Sequence, residues 1–168
     1  MNLAFDFLVN KENSTILVTR EFAAPLPLVW DAYTKPEILD LWWAPKPWKT
    51  ETKTMEFKEG GYWHYAMVGP DEETHWCWAD FIKIHPQKNY SGLDAFADAE
   101  GNVNTEMPQS KWEVRFTDKG EKTLVNFHIS YPDLAQLEAT IQMGFKEGLT
   151  MAMEGLDEVL VSLKKQSA

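Results

Sequence analysis

Apolar and polar positions along this chain follow two different periods, and the change from one to the other divides it. Residues 15–22, TILVTREF, are rich in β-branched side chains and predict a strand, which Pro25 and Pro27 bring to an end. Val29, Trp30 and Tyr33 stand at helical spacing, so a short helix is expected over residues 28–33. Thr34-Lys35-Pro36-Glu37 has the spacing of a capping box and predicts a second short helix through Leu41. Residues 42–48, WWAPKPW, carry two prolines and three tryptophans and read as a bulky, stiff loop.

Period-two segments then follow one another. Strands are expected over residues 50–57, 62–68, 75–85, 89–96, 110–117 and 121–130. Gly60-Gly61, the acidic tip 69–73, Pro86, a polar stretch over 97–109, and Asp118-Lys119-Gly120 separate them. After Pro132 the period becomes helical. Asp133 is a good N-cap with Gln136 three residues on. Leu137, Ile141, Phe145, Leu149, Ala152, Leu156, Val159 and Leu163 then recur at spacings of three and four, with Glu147, Glu154, Asp157 and Glu158 expected on the opposite face. One continuous helix over this span would be ~45 Å long and needs a whole sheet to lie on. Strands grouped apart from helices predict an α+β fold: a curved antiparallel sheet of six to seven strands around one long C-terminal helix, with two short helices after the first strand. The 168 residues form a single domain with its core at about 15–163, and no repeat or linker interrupts them.

Composition narrows the function classes. The net charge of -10 disfavours nucleic acid and anionic membrane surfaces as partners, since both would repel it. The single cysteine, Cys77, forbids an intramolecular disulfide. The N-terminus lacks a basic segment followed by an apolar run, so a cytoplasmic location is expected. Eight tryptophans are the unusual feature, and they predict either a very aromatic core or the walls of an apolar ligand site.

The segments FAAPLPLVWDAYTKPEILDLWWAP, FKEGGYWHYAM, ADFIKIHP, EKTLVNFHIS and FKEGLTMAMEGLDEVL occur in an order and spacing that resembles the START-like (SRPBCC, Bet v 1-like) superfamily. More narrowly, the chain is similar to the family of the C-terminal domain of the Hsp90 ATPase activator. The resemblance implies a helix-grip fold with an apolar cavity between sheet and long helix. It implies a binding protein for an apolar, aromatic or lipid-like small molecule as the leading function. A polyketide cyclase or hydrolase using the same cavity is the alternative, and a chaperone-interaction module is a third. The chaperone activator also has a separate N-terminal domain, for which this chain has no room.

Strand alternation predicts which side chains line that cavity. Trp63, Tyr65 and Met67 share one face, and a hairpin tip at 69–73 places Met67 opposite His75 and Tyr65 opposite Cys77. His75, Cys77 and Phe81 then point inward, and Trp112 does so from the next hairpin. Phe145 and Leu149 of the helical stripe and the loop tryptophans Trp42, Trp43 and Trp48, as a lid, complete the expected lining. The competing reading of each residue is ordinary core packing. His75-x-Cys77 lacks the further ligands a zinc site requires, so no metal and no cofactor are expected. No nucleophile or phosphate-loop motif is present, and binding without catalysis is the expectation. A general acid or base would need only one perturbed group, with His75, Asp80 and Asp94 as candidates. The same alternation sends Tyr62, His64, Trp76 and Trp78 outward as an exposed aromatic patch, for which a homodimer interface is the simplest explanation; a register one residue off would instead place Trp76 and Trp78 in the cavity and leave the outer face polar.

Overall fold

A computed structural model describes residues 3–167. Its elements in chain order are β1 (Phe5–Asn10), β2 (Thr15–Phe22), α1 (Leu26–Thr34), α2 (Pro36–Trp42), β3 (Lys49–Met55), β4 (Tyr62–Val68), β5 (Thr74–His85), β6 (Asn89–Ala97), β7 (Ser110–Asp118), β8 (Thr123–Ser130), α3 (Leu134–Gln142) and α4 (Phe145–Ser167). The strands make one antiparallel sheet in the order β1-β2-β8-β7-β6-β5-β4-β3. Six consecutive strands form a meander, and the N-terminal hairpin adds to its last strand. One face carries Ile16, Val18, Phe22, Trp63, Tyr65, Val114, Phe116, Phe127 and Ile129, all buried against the helices. Among the described residues no helix is long and apolar enough to cross a membrane.

The α+β helix-grip expectation holds, with three corrections. The sheet has eight strands where six to seven were expected, and the two short helices follow the second strand. The additional strand is β1. Its residues are nearly all exposed, so no buried face leaves a period-two trace, and it forms by pairing its backbone with β2. Second, the C-terminal helical pattern is two helices. Gly144 lies at φ +86, which only glycine adopts cheaply, and its N–H donates to the Ile141 carbonyl. The apolar stripe continues across this break because α3 and α4 both cover the core. Third, the capping box does not form. The Thr34 hydroxyl donates to the Trp30 carbonyl and closes α1, while Pro36 starts α2 without a side-chain cap. The Asp133 cap does form, its carboxylate accepting from the Gln136 amide at 2.9 Å.

Helix α4 lays Leu149, Ala152, Met153, Leu156 and Leu160 on the sheet, each almost fully buried. Asp157, expected on the solvent side, instead reaches Arg20 on β2 at 2.5 Å. Arg20 is 7% exposed and also stacks on Phe22, with 4.8 Å from guanidinium carbon to ring centre. A buried guanidinium requires such a partner.

Candidate functional site: a cavity with an unpaired carboxylate

The register of the sheet creates the cavity. Two cross-strand rows on the inner face each hold a small residue between large ones. In one row Trp63 of β4 faces Ala79 of β5, which faces Asp94 of β6 and then Ser110 of β7. In the next, Phe81 faces Gly92, which faces Trp112. Ala79 and Gly92 leave the space that the flanking aromatics would otherwise fill. Gly92 is required by close approach, because a Cβ there would stand 2.3 Å from the Asp80 carbonyl oxygen. Tyr33 of α1, Leu39 of α2 and Trp43 close the space from above. The resulting cavity is about 50 Å³, and a buried water needs roughly 10–15 Å³ on the same measure. It therefore takes a few waters or one small organic group.

The rings around it are fixed by contacts at their edges. Trp43 Nε1 donates to the Tyr65 hydroxyl at 3.1 Å, Trp63 Nε1 to the Thr52 hydroxyl at 3.0 Å, and Trp112 Nε1 to the Ser110 hydroxyl at 2.8 Å. Trp63 stacks on Tyr65 with 3.8 Å between ring centres, and Trp43 stands 5.6 Å from Trp63 and 6.1 Å from Trp112. With their N–H groups occupied, the indoles offer the cavity π faces.

Two polar groups in this apolar space lack protein partners. The buried Tyr33 hydroxyl has no hydrogen bond among the described residues. The Asp94 carboxylate has neither a hydrogen bond nor an ion pair among them. Burial alone pushes the Asp94 carboxyl up to about 7, because no donor or cation opposes the loss of water. Its charge in turn helps raise Tyr65, Cys77, Tyr90 and Tyr131, although desolvation is the larger cause for each. On the other side of the sheet a groove of about 350 Å³, lined by Trp78, Leu93, Val103, Lys111 and Tyr131, also reaches Asp94. Asp94 thus sits between an inner cavity and an outer channel to solvent.

Four of the sequence-predicted lining residues, Trp43, Trp63, Phe81 and Trp112, surround the cavity. Tyr65 and Cys77 are buried behind them, paired across β4 and β5 as the hairpin register predicted. Trp42 is core: its Nε1 donates to the Ala32 carbonyl at 2.9 Å, and its ring meets Tyr33 edge-on. Leu149 is buried under α4, and Phe145 touches Trp112 and Phe7 at the end of the sheet. Met67 pairs with His75, whose ring lies 5.5 Å from Trp48 at the sheet margin, away from the cavity. Of the three acid–base candidates, His75 and Asp80 are exposed. Asp80 and Asp94 both border the cavity, but the Asp80 carboxylate accepts from Trp78 Nε1 at 2.9 Å, whereas Asp94 has no such partner among the described residues. Its alternation with Tyr90, Gly92 and Phe96 was readable in the sequence, but its lack of a partner was not. Tyr33 and Tyr90 were not expected in the lining.

Burial pushes the Cys77 thiol up to about 12, with Asp94 a smaller cause, which disfavours the thiolate that a nucleophile or metal ligand uses. No group of three His, Cys, Asp or Glu among the described residues is arranged to hold a metal. The outward patch exists but is not bare. Tyr62 stacks on Trp78 at 4.4 Å, and His64 packs between Trp76 and Trp78. The β6–β7 loop covers them: the Asp98 carbonyl meets His64 Nε2 at 2.9 Å, and Gly101 lies against the Trp78 ring. Lys53 Nζ bonds the Ala99 carbonyl and stands over Trp76. The chain's own loop thus covers part of these rings, and Tyr62, Trp76 and Trp78 stay half-buried.

Comparison with known proteins agrees with this architecture. The family described as Activator of Hsp90 ATPase homolog 1-like protein matches residues 23–161. Protein Ms6760 from Mycobacterium smegmatis is 28% identical with a TM-score of 0.86, the match covering 95% of this chain and 97% of that one. A protein from Arthrobacter aurescens is 27% identical with a TM-score of 0.88, over 94% and 91% of the two chains. An AHSA1 protein from Silicibacter pomeroyi shares the fold at 15% identity, with a TM-score of 0.69 over 88% of this chain and 97% of that one. No curated protein matches significantly.

Proposed function

The chain belongs to the Activator of Hsp90 ATPase homolog 1-like family, and we propose that it binds a small, largely apolar molecule between sheet and C-terminal helix. The observation that carries this reading is the cavity itself, with two polar groups facing it unsatisfied. A core shaped only for stability would not leave a buried hydroxyl without a partner, at about 1–3 kcal/mol, nor set a half-buried carboxylate with no protein donor beside an apolar space. A ligand that supplies those partners and stacks on the indoles explains both.

Tryptophan emission reports occupancy, because Trp43, Trp63 and Trp112 form the walls. Flavonoids, fatty acids and aromatic polyketides should include at least one class that quenches or shifts it. Ala79→Leu, which fills the space between Trp63 and Asp94, should abolish that response while the fold persists. Unchanged emission at saturating concentrations of all three classes and of small organic probes, charged and uncharged, would overturn the binding reading. One observation favours the cyclase or hydrolase alternative: a carboxyl titrating near neutrality in an apolar site is suited to proton transfer. Turnover of a bound ligand that Asp94→Asn stops, while binding survives, would decide for it.

A further inference from the structure

We infer that the molecule this cavity takes is an organic cation, whose ammonium group sits against Asp94 within the rings of Trp43, Trp63, Trp112 and Tyr90. The inference rests on the reading of the cavity as a ligand site and adds the chemical class of the ligand.

The other inward-leaning carboxylates show what is missing here. Asp157 is neutralised by Arg20 at 2.5 Å. Asp40 accepts from the Thr52 amide at 3.1 Å and hydroxyl at 2.6 Å. Asp94 has no such partner among the described residues, although it stands where three indoles converge. The groups facing it are Tyr65 from β4, Cys77 from β5, Tyr90 from its own strand and Tyr131 beyond β8. Burial keeps all four neutral at ordinary pH, and none is a cation. Lys111, on the outer groove, makes no ion pair with Asp94.

An ammonium ion satisfies both halves of this site. Its charge pairs with the carboxylate, and its alkyl surface lies on the electron-rich indole faces, the strongest cation–π partners among the side chains. Ala79 and Gly92 leave room for it between them. An anionic ligand such as a fatty acid would set a second carboxylate against Asp94, and a neutral apolar one would leave Asp94 as unpaired as before.

The test uses two probes of equal shape: choline, and its uncharged counterpart 3,3-dimethylbutan-1-ol. Tryptophan emission of the intact chain is titrated with each, with sodium chloride held constant. Choline should act at about tenfold lower concentration or less than the alcohol. Its advantage should grow as pH rises through the ionisation of Asp94, since choline itself does not titrate. Asp94→Asn should bring the two curves together. An alcohol that binds as well as choline, or a preference that persists in Asp94→Asn, overturns the cation assignment and leaves the cavity reading standing. A response to a flavonoid or fatty acid with none to choline does the same. Silence toward choline, the alcohol and every neutral or anionic apolar probe overturns both. If Asp94→Asn fails to fold, the pH dependence of the wild-type preference decides.

Discussion

Replacing Asp94 by Asn should make this protein more stable above neutrality and leave its stability nearly unchanged in acid. The folded protein holds the carboxyl at about 7, against an ordinary value of 3.8. Between those values the folded state keeps a proton that the unfolded chain has released. Stability therefore falls as pH rises through that window, and the full cost is present above about 7. A difference of about three units at ~1.36 kcal/mol each sets an upper bound of about 4 kcal/mol. Water in the cavity and groove reduces this, so ~1–3 kcal/mol is the expected gain. Asn fills the same volume and carries no charge. Urea denaturation of both proteins at pH 4 and pH 8 reads the effect, and their difference cancels the titration of all other groups. A variant no more stable than wild type at pH 8, or a difference independent of pH, would refute the claim that Asp94 is poorly solvated and lacks a protein partner. A residue that lowers stability in the empty protein is what a binding site requires when the ligand supplies the missing partner.

Other outcomes follow from the core. Leu156 is fully buried under α4, so Leu156→Ala should cost ~3–5 kcal/mol in denaturant midpoint analysis, and Leu156→Asp should leave the protein molten or insoluble. Gly92→Ala should lower stability by ~1–3 kcal/mol, because its methyl group would meet the Asp80 carbonyl oxygen; a melting temperature equal to wild type would mean that β5 and β6 are farther apart. Arg20→Ala removes both the Asp157 partner and the Phe22 stacking and should cost ~2–4 kcal/mol, with Arg20→Lys restoring only part of it. The Cys77 thiol should stay unmodified by iodoacetamide in the folded protein at pH 8 and react at once in urea.

The sequence by itself determined the alternation of strands, the Tyr65–Cys77 and Met67–His75 register, the Asp133 cap and the apolar stripe of α4. Each of these is local: a side chain's face follows from its own spacing, and a hairpin's register from its tip. It offered Tyr62, His64, Trp76 and Trp78 as a shared outer face, with Trp76 and Trp78 in the cavity as the alternative, and the β4–β5 pairing decided for the outer face. Tertiary structure decided the rest. The polar 97–109 segment carries no pattern that says it folds back over those rings, because its contacts run through backbone carbonyls such as Asp98 and Ala99. Strand β1 is held mainly by pairing, with only Phe7 packed toward the core, and has no buried face to announce it. Of the expected lining, Trp42 went to the core and Trp48 to the margin, since the angle at which α2 and the following loop meet the sheet is a packing outcome. The cavity arises from residues on five different strands and two helices. Ala79 and Gly92 become a gap only when the register sets them beside Trp63, Phe81 and Trp112. Asp94 becomes exceptional only because, among the described residues, no donor or cation arrives beside it. Spacing along a strand decides where a side chain points, and what stands opposite it is decided by elements distant in the sequence.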